Sequence, residues 1–310
     1  MKSFELVLIG HPDKVCDRVS QVICNHNKNG RNAIECCWGN KLFTVNGETD
    51  FKWTTAKLEK VVKSVLDKEI GLIKEELDSI TVVNNLNVQS SEINNIVGDL
   101  GTGDNGIYFG GYHRVYSPVI RKMKVLCLAL TAKKLSEWGY RSDGKFIFTV
   151  DKTGEIVKFV INVASFSGVE LKTDKLIDFI KAFVGDLTEI GVNPKGNWHN
   201  CFAFADSGLT GRKLACDGTC GLFSHGGGAM FGKDISKADV TVPLYLGMLA
   251  EQYANKGIFK RKIVSLEASS IIGDKELTIY KNGRLFSKIP FKVMKDYVGS
   301  HELNIFGVLK

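Results

Sequence analysis

The segment from His225 to Asp239, HGGGAMFGKDISKAD, combines residue types that bind phosphate. Gly227 and Gly232-Lys233 have the spacing of a P-loop, but Asp234 stands where that motif needs a serine or threonine to reach magnesium. A P-loop also requires the strand–loop–helix unit of a parallel sheet. Three interpretations therefore remain open: a degraded P-loop, a chance run of glycine and lysine, or a different cradle for polyphosphate.

The surrounding segment, 204–239, adds further charged residues to these glycines. They are the basic Arg212, Lys213, Lys233 and Lys237 and the acidic Asp206, Asp217, Asp234 and Asp239. Glycines free backbone amides to face an anion, and carboxylates among cations suit magnesium bridged to phosphate oxygens. A solvated helix face would explain only Lys233 and Lys237. Neither Ser207 nor Ser224 belongs to a recognisable nucleophile motif, so the attacking atom is expected to belong to a substrate.

Two other segments have related chemistry. His11-Pro12-Asp13-Lys14 ends a predicted strand and opens a helix, where backbone amides and the lysine favour an anion. Taken alone, Asp13 also fits an ordinary acidic residue of a first helical turn. Segment 89–112 is dense in glycine, which is typical of close backbone approach, a lid or a plain surface loop.

Apolar periodicity predicts the elements that must position these segments. An amphipathic helix at about 12–25 is followed by strands 32–38 and 41–46 and by a helix that begins at Thr54 or Thr55. The same helix–hairpin–helix order returns at 119–138, 145–163 and 174–185, and again at 242–255, 262–281 and 289–298. Hairpins imply antiparallel pairing, so we predict the α+β class with three similar sheet-and-helix modules. Their expected bounds are 1–99, 100–199 and 200–310.

Composition limits the class of partner. The net charge of +7 is mild and no block of like charge occurs, so nucleic acid is not an expected partner. No apolar run approaches the ~18–20 residues of a membrane span, and the N-terminus lacks the features of a signal peptide. The eight cysteines are expected to be free thiols of a cytoplasmic protein. Cys216, Cys220 and His225 fit the spacing of a zinc site poorly.

Four motifs together resemble the methionine adenosyltransferase, or S-adenosylmethionine synthase, family. They are GHPDK (10–14), GDNG (103–106), DSGLTGRK (206–213) and HGGGAMFGKDISKAD (225–239). The resemblance implies three similar modules around a pseudo-threefold. It implies a homodimer or a dimer of dimers, with active sites at the subunit interface. It also implies two Mg²⁺ ions, K⁺, and the substrates ATP and L-methionine. The implied reaction is attack of sulfur on ribose C5′, after which the tripolyphosphate is cleaved to phosphate and pyrophosphate.

The resemblance further implies roles for individual residues. Catalysis would involve His11, Lys145, Arg212, Lys233 and Asp104. ATP and its polyphosphate would contact Lys14, Lys145, Asp143, Arg212, Lys213, Lys233 and Lys237. Methionine would contact Glu48, Gln89, Asp104, Asp206 and Lys237. Magnesium would be held by Asp13 and Asp239, and potassium by Glu35.

Several positions depart from the family pattern. Leu8-Ile9 replace a usual Ser-Glu, Asn105 replaces a glutamine, Asn197 an arginine and Cys220 a glycine. Loop 94–102 is short for a gating loop, which predicts weaker retention of substrates. Two alternatives to the synthase remain: a non-catalytic regulatory paralogue, and an ATP or polyphosphate hydrolase that uses the same cradle.

Overall fold

The computed structural model describes residues 1–27, 30–88, 91–92, 101–256, 262–301, 304 and 307. In chain order, strands β1 to β12 are Lys2–Val7, Asn32–Gly39, Leu42–Thr49, Thr81–Asn87, Gly106–His113, Tyr140–Val150, Ile156–Ser165, Glu189–Val192, Gly208–Leu209, Ile263–Ser270, Glu276–Lys281 and Arg284–Pro290. Helices α1 to α9 are Pro12–Asn25, Thr55–Val65, Lys74–Ser79, Tyr116–Ala129, Ala132–Glu137, Thr173–Val184, Leu214–Asp217, Ala238–Asn255 and Phe291–Gly299. In the part of the chain described, no helix is both long and apolar enough to cross a membrane.

The strands form three four-stranded sheets, with the orders β1-β6-β7-β8, β4-β3-β2-β9 and β12-β11-β10-β5. Each sheet takes one strand from a distant part of the chain: β1 pairs with β6, β9 with β2, and β5 with β10. The pairs β3–β4 and β7–β8 are parallel, and the other pairs are antiparallel. The predicted α+β class is confirmed. The predicted module bounds and the pseudo-threefold stay predictions.

Local signals account for most of the elements near the phosphate-binding motifs. Pro12 takes the first position of α1, where its missing N–H costs nothing. The predicted turn between β2 and β3 contains Asn40 with a φ of 50°, which asparagine tolerates better than most side chains. The prediction of one helix over 119–138 is wrong. Thr131 caps a separate helix, α5, because its side chain accepts a hydrogen bond from the Lys134 N–H at 3.2 Å.

Each sheet packs its apolar face against helices. The first sheet buries Phe146 and Phe159 against α4 and α6, and the third sheet packs on α8 and α9. The second sheet packs on α1, whose predicted apolar positions Val15, Val19 and Ile23 are buried. Full burial of such a side chain stabilises the fold by roughly 1.5–3 kcal/mol. The apolar stripe of α1 therefore fixes where its N-terminus, with the GHPDK motif, must lie.

All eight cysteines are free thiols, as predicted. Burial raises the pKa of Cys216 to about 11 and the pKa of Cys220 to about 12. Both side chains are therefore protonated near neutral pH when no metal is bound.

Candidate active site

Asp13, in the first turn of α1, is the centre of a first group of the predicted residues. Its carboxylate is fully buried and accepts hydrogen bonds from the Leu209 N–H at 3.0 Å and the Lys213 ammonium at 2.5 Å. The Nε of Arg212 lies 3.3 Å from the same carboxylate. These contacts hold the 206–213 loop against the start of α1, with both cations of the loop beside one acid.

His11 is the N-cap of α1, and its ring is neutral near pH 7. Burial, and next the positive charge of Lys213, lower its pKa from 6.5 to about 4, although Asp13 and Asp206 oppose the shift. The Asp13 N–H donates to Nδ1 of His11 at 3.3 Å. We infer that the ring proton is on Nε2, which is free to donate to an oxygen in the cleft.

Lys145, Asp143 and Asp206 complete the first group. Lys145 is about half exposed on β6, and its charge contributes to the lowered pKa of His11. Asp143 is buried and accepts a hydrogen bond from the Phe202 N–H at 2.6 Å. Burial raises the pKa of Asp143 to about 6, and the charge of the exposed Asp206 adds to the rise.

A second group forms around α8 and the second sheet. The Lys233 ammonium donates to the Asp239 carboxylate at 2.6 Å. The backbone of Lys233 forms an antiparallel bridge with Ala33 of β2, which connects segment 225–239 to the second sheet. Lys237 is the N-cap of α8. Burial lowers its pKa, and the carboxylates of Asp234 and then Glu48 act in the opposite direction, so these charges lie close together.

The glycine run and β5 bring Asp104 to the second group. Gly228 is required by close approach, because a Cβ there would lie 2.1 Å from Oδ1 of Asp239. Tyr108 on β5 is near both Asp239 and Asp104. Burial is the main cause of its raised pKa, and the two carboxylates add to the rise. Asp104 itself is exposed, and its backbone oxygen accepts a hydrogen bond from the Ser270 hydroxyl at 3.0 Å.

Lys14 and Glu35 fall outside these two groups. Lys14 is fully buried, and its ammonium is paired with the carboxylates of Asp217 and Asp17. The Lys14 ammonium has no exposed surface in this structure, and its predicted contact with polyphosphate stays a prediction. Glu35 is exposed on β2, and its link to potassium stays a prediction. Gln89, and most of the 94–102 loop, lie outside the described residues.

The two carboxylates predicted to bind magnesium lie in different groups, Asp13 in the first and Asp239 in the second. Their oxygens are the hard donors that Mg²⁺ prefers. Each carboxylate is paired with a lysine, Asp13 with Lys213 and Asp239 with Lys233. Across the described residues, no cluster of three or more His, Cys, Asp or Glu side chains could hold a metal. The donor set fits magnesium ions that keep water and phosphate oxygens as their other ligands.

A cavity of about 380 Å³ lies between β5, α4 and α8. Gly226, Gly228 and Asp239 line one end, and Tyr108 and Phe223 are among its aromatic walls. Of the predicted site residues that the structure describes, Asp239 alone lines this cavity. None of the residues of the first group lines this cavity.

The sequence analysis did not single out Asp17 or Lys124, did not predict that Asp217 is buried, and did not explain Leu8 and Ile9. Asp17, Lys124 and Asp217 are each at most 3% exposed. The spacing of Lys14 and Asp17, three residues apart on a helix, was the available signal for a pair. Leu8 is fully buried in the core, and Ile9 packs between the first and second cores, so the polar Ser-Glu of the family pattern is replaced by apolar packing.

Comparison with known proteins identifies relatives along most of the chain. Residues 1–91 match the family model described as S-adenosylmethionine synthetase, N-terminal domain, and residues 202–288 match the C-terminal domain. The S-adenosylmethionine synthase of Oenococcus oeni is 30% identical over 297 residues, which covers 83% of this chain and 76% of that protein. That of Mycoplasmopsis pulmonis is 30% identical over 287 residues, covering 83% and 74%.

A solved structure has the same fold. It is described as an unusual S-adenosylmethionine synthetase from Campylobacter jejuni, and it aligns with a TM-score of 0.74 at 24% sequence identity. The alignment covers 96% of this chain and 85% of that chain. The fold and the sequence relatives therefore agree.

Proposed function

Because the chain belongs to the S-adenosylmethionine synthetase family, we propose that it transfers the adenosyl group of ATP to the sulfur of L-methionine. The tripolyphosphate product is then cleaved to phosphate and pyrophosphate. The observation that carries this proposal is the group around Asp13, where a neutral His11 lies beside the cations Arg212 and Lys213. That arrangement stabilises a departing polyphosphate without supplying a nucleophile.

The chemistry needs no general base. The thioether sulfur of methionine has no proton to lose, so its lone pair forms the C–S bond at C5′ while the C5′–O bond breaks. The main barrier is the negative charge that collects on the leaving tripolyphosphate. Fixed cations aimed at that charge are the effective catalyst. We assign this role to Arg212, Lys213, Lys233 and Lys237, and to Lys145 beside His11.

His11 is assigned to the bridging oxygen of the leaving group. Its Nε2–H can donate a hydrogen bond to that oxygen as the C–O bond breaks, because Nδ1 already accepts from the Asp13 backbone. A neutral ring suits this task, since the adjacent lysine and arginine already supply positive charge. Asp143, which is buried beside the same loop, is assigned to adenosine.

Magnesium is assigned to Asp13 and Asp239. When bound, the ions neutralise charge on the triphosphate and its leaving group. Glu35 is the residue proposed for potassium. The methionine contacts are assigned to Glu48, Gln89, Asp104, Asp206 and Lys237. Among these, the negative charge of Asp104 would favour the positive sulfonium of the product.

The division of the site into two groups supports a dimer. The first group contains His11, and the second contains Lys233 and Asp239. Of these three residues, Asp239 alone lines the cavity between β5, α4 and α8. In a two-fold dimer, the first group of one copy would face the second group of the other. Each dimer would then hold two complete sites.

The test is to follow S-adenosylmethionine, phosphate and pyrophosphate together in purified protein given ATP, methionine and magnesium. Lys233→Ala should abolish all three products. Lys158→Ala is the matched control, since Lys158 is an exposed lysine paired with Glu189. Phosphate release that does not depend on methionine would favour the hydrolase instead, and ATP binding without turnover would favour the regulatory paralogue.

A further inference from the structure

We propose that Lys14, Asp17, Lys124 and Asp217 form a buried positioning network that holds the phosphate-binding segments in their catalytic arrangement. The inference rests on the proposed function, because it concerns how the residues of that site are aligned. None of the four side chains is more than 3% exposed, and Lys124 and Asp217 border the cavity between β5, α4 and α8.

Lys14 is the centre of the network. Its ammonium lies 2.6 Å from Oδ1 of Asp217 and 3.2 Å from Oδ2 of Asp17. It also lies 4.3 Å from the centre of the Phe231 ring, on whose face a cation is attracted. Phe231 directly precedes Gly232-Lys233 in the second group. The Lys14 ammonium therefore contacts α1, α7 and segment 225–239.

Asp17 extends the network to the loop that carries the catalytic cations. Its Oδ1 accepts a hydrogen bond from the Gly211 N–H at 2.8 Å, one residue before Arg212. Asp13, one helical turn earlier on the same face of α1, accepts from the Leu209 N–H and from Lys213. The 206–213 loop is thus attached to α1 at two points, Asp13 and Asp17. Lys14 orients the Asp17 carboxylate.

Lys124 fixes the other end of this assembly. From α4, its ammonium donates to the backbone oxygens of Asp217 and Gly218, the latter at 2.9 Å. Asp217 is the last residue of α7, which begins immediately after Lys213. The segment from 209 to 218 is consequently held by Asp13, Asp17, Lys14 and Lys124 in succession.

The physical reason to assign positioning lies in the cost of burying charge. Removing ions from water offsets much of their mutual attraction, and apolar side chains of similar volume often give equal or greater stability. Apolar contacts, however, do not specify where a backbone N–H or a carboxylate must lie. Directional contacts do, and a displacement of about 1 Å at a reacting group can reduce a rate roughly a hundredfold.

The experiment compares Lys14→Met and Asp217→Asn with Arg18→Met, which breaks the part-buried Arg18–Glu69 pair on the same helix. Rates are measured well below the unfolding temperature of each variant. Asp217→Asn retains the shape and an acceptor oxygen, so it serves if Lys14→Met does not fold. We expect both network variants to lower kcat/KM for ATP roughly tenfold to a hundredfold, with KM for methionine unchanged. Arg18→Met should lower stability alone.

Calorimetric binding of tripolyphosphate with magnesium separates the two proposals. If the wild type makes no S-adenosylmethionine but binds tripolyphosphate, and Lys14→Met or Asp217→Asn weakens that binding at least tenfold, the proposed function fails and the network stands. Network variants that unfold at lower temperature, yet keep wild-type kinetics and tripolyphosphate affinity, would overturn the positioning role. A wild type that neither reacts nor binds tripolyphosphate would overturn both.

Discussion

Gly228 offers a sharp test of the second group, because its backbone lies against the carboxylate assigned to magnesium. A Cβ at this position would lie 2.1 Å from Oδ1, 2.3 Å from Cγ and 2.8 Å from Oδ2 of Asp239. Ordinary contact begins at 3.4 Å, so Oδ1 must retreat by 3.4 − 2.1 = 1.3 Å in Gly228→Ala. That movement disturbs the 2.6 Å contact between Asp239 and Lys233.

The expected loss follows from this displacement. A misplacement of about 1 Å reduces a rate roughly a hundredfold, which corresponds to ~2.7 kcal/mol of transition-state stabilisation. We therefore expect kcat/KM for ATP to fall by about two orders of magnitude and the magnesium requirement to rise. The φ of Gly228 is not in the left-handed region, so the backbone accepts alanine without strain and stability should change little.

Initial rates of S-adenosylmethionine formation at several magnesium concentrations would measure this effect. Gly39→Ala is the matched control, because a Cβ there meets nothing within 4 Å and the position, the last residue of β2, does not line the cavity. This control should leave the kinetics unchanged. Wild-type kcat/KM in Gly228→Ala would refute the assignment of Asp239 to the site.

Three further predictions concern other parts of the site. The pKa of Asp143 is about 6, above its usual 3.8. The favourable contribution of this carboxyl group to the free energy of unfolding is therefore complete below pH 3.8 and is lost as the pH rises through 6. Asp143→Asn should therefore raise the free energy of unfolding in urea at pH 7.5, by at most ~3 kcal/mol, and unchanged stability would contradict this. Lys213→Met should raise the pKa of His11 from about 4 towards 6.5, as measured by NMR titration; an unchanged value would show that burial alone lowers it. In a dimer with shared sites, mixing and refolding inactive Lys213→Ala and Lys233→Ala chains should restore about a quarter of wild-type activity, since half the dimers are mixed and each has one intact site. No recovery would place both groups in a single chain's site.

Local signals in the sequence were sufficient for most elements of the fold. Val15, Val19, Val22 and Ile23, with Pro12 at the start, predicted the helix that the structure places at Pro12–Asn25. The prediction failed at 119–138, where Thr131 is compatible with either a continuous helix or a cap. Helix periodicity does not distinguish these two, because the hydrogen bond that decides between them involves no change in apolar pattern.

The motifs also indicated the chemistry before any coordinates. Glycines, lysines and carboxylates in 225–239 predicted a polyphosphate cradle, and the order of the four motifs identified the family. These features depend on residue type and short spacing, which a linear sequence displays directly. Which of these cations are buried is a different question, and neither residue type nor short spacing predicted that Lys14 is fully buried.

Only the tertiary structure decided how charges separated along the chain meet. Lys14 pairs with Asp217, 203 residues away, and Asp13 pairs with Lys213, 200 residues away. The sequence alone does not show whether a lysine within a motif is solvated or buried. Its state depends on how much water the packed sheets and helices remove and on which carboxylate they bring within reach. Neither quantity is local, so residue type and spacing predicted the segments of the candidate site, while packing decided which of their charges are buried and with which partners they pair.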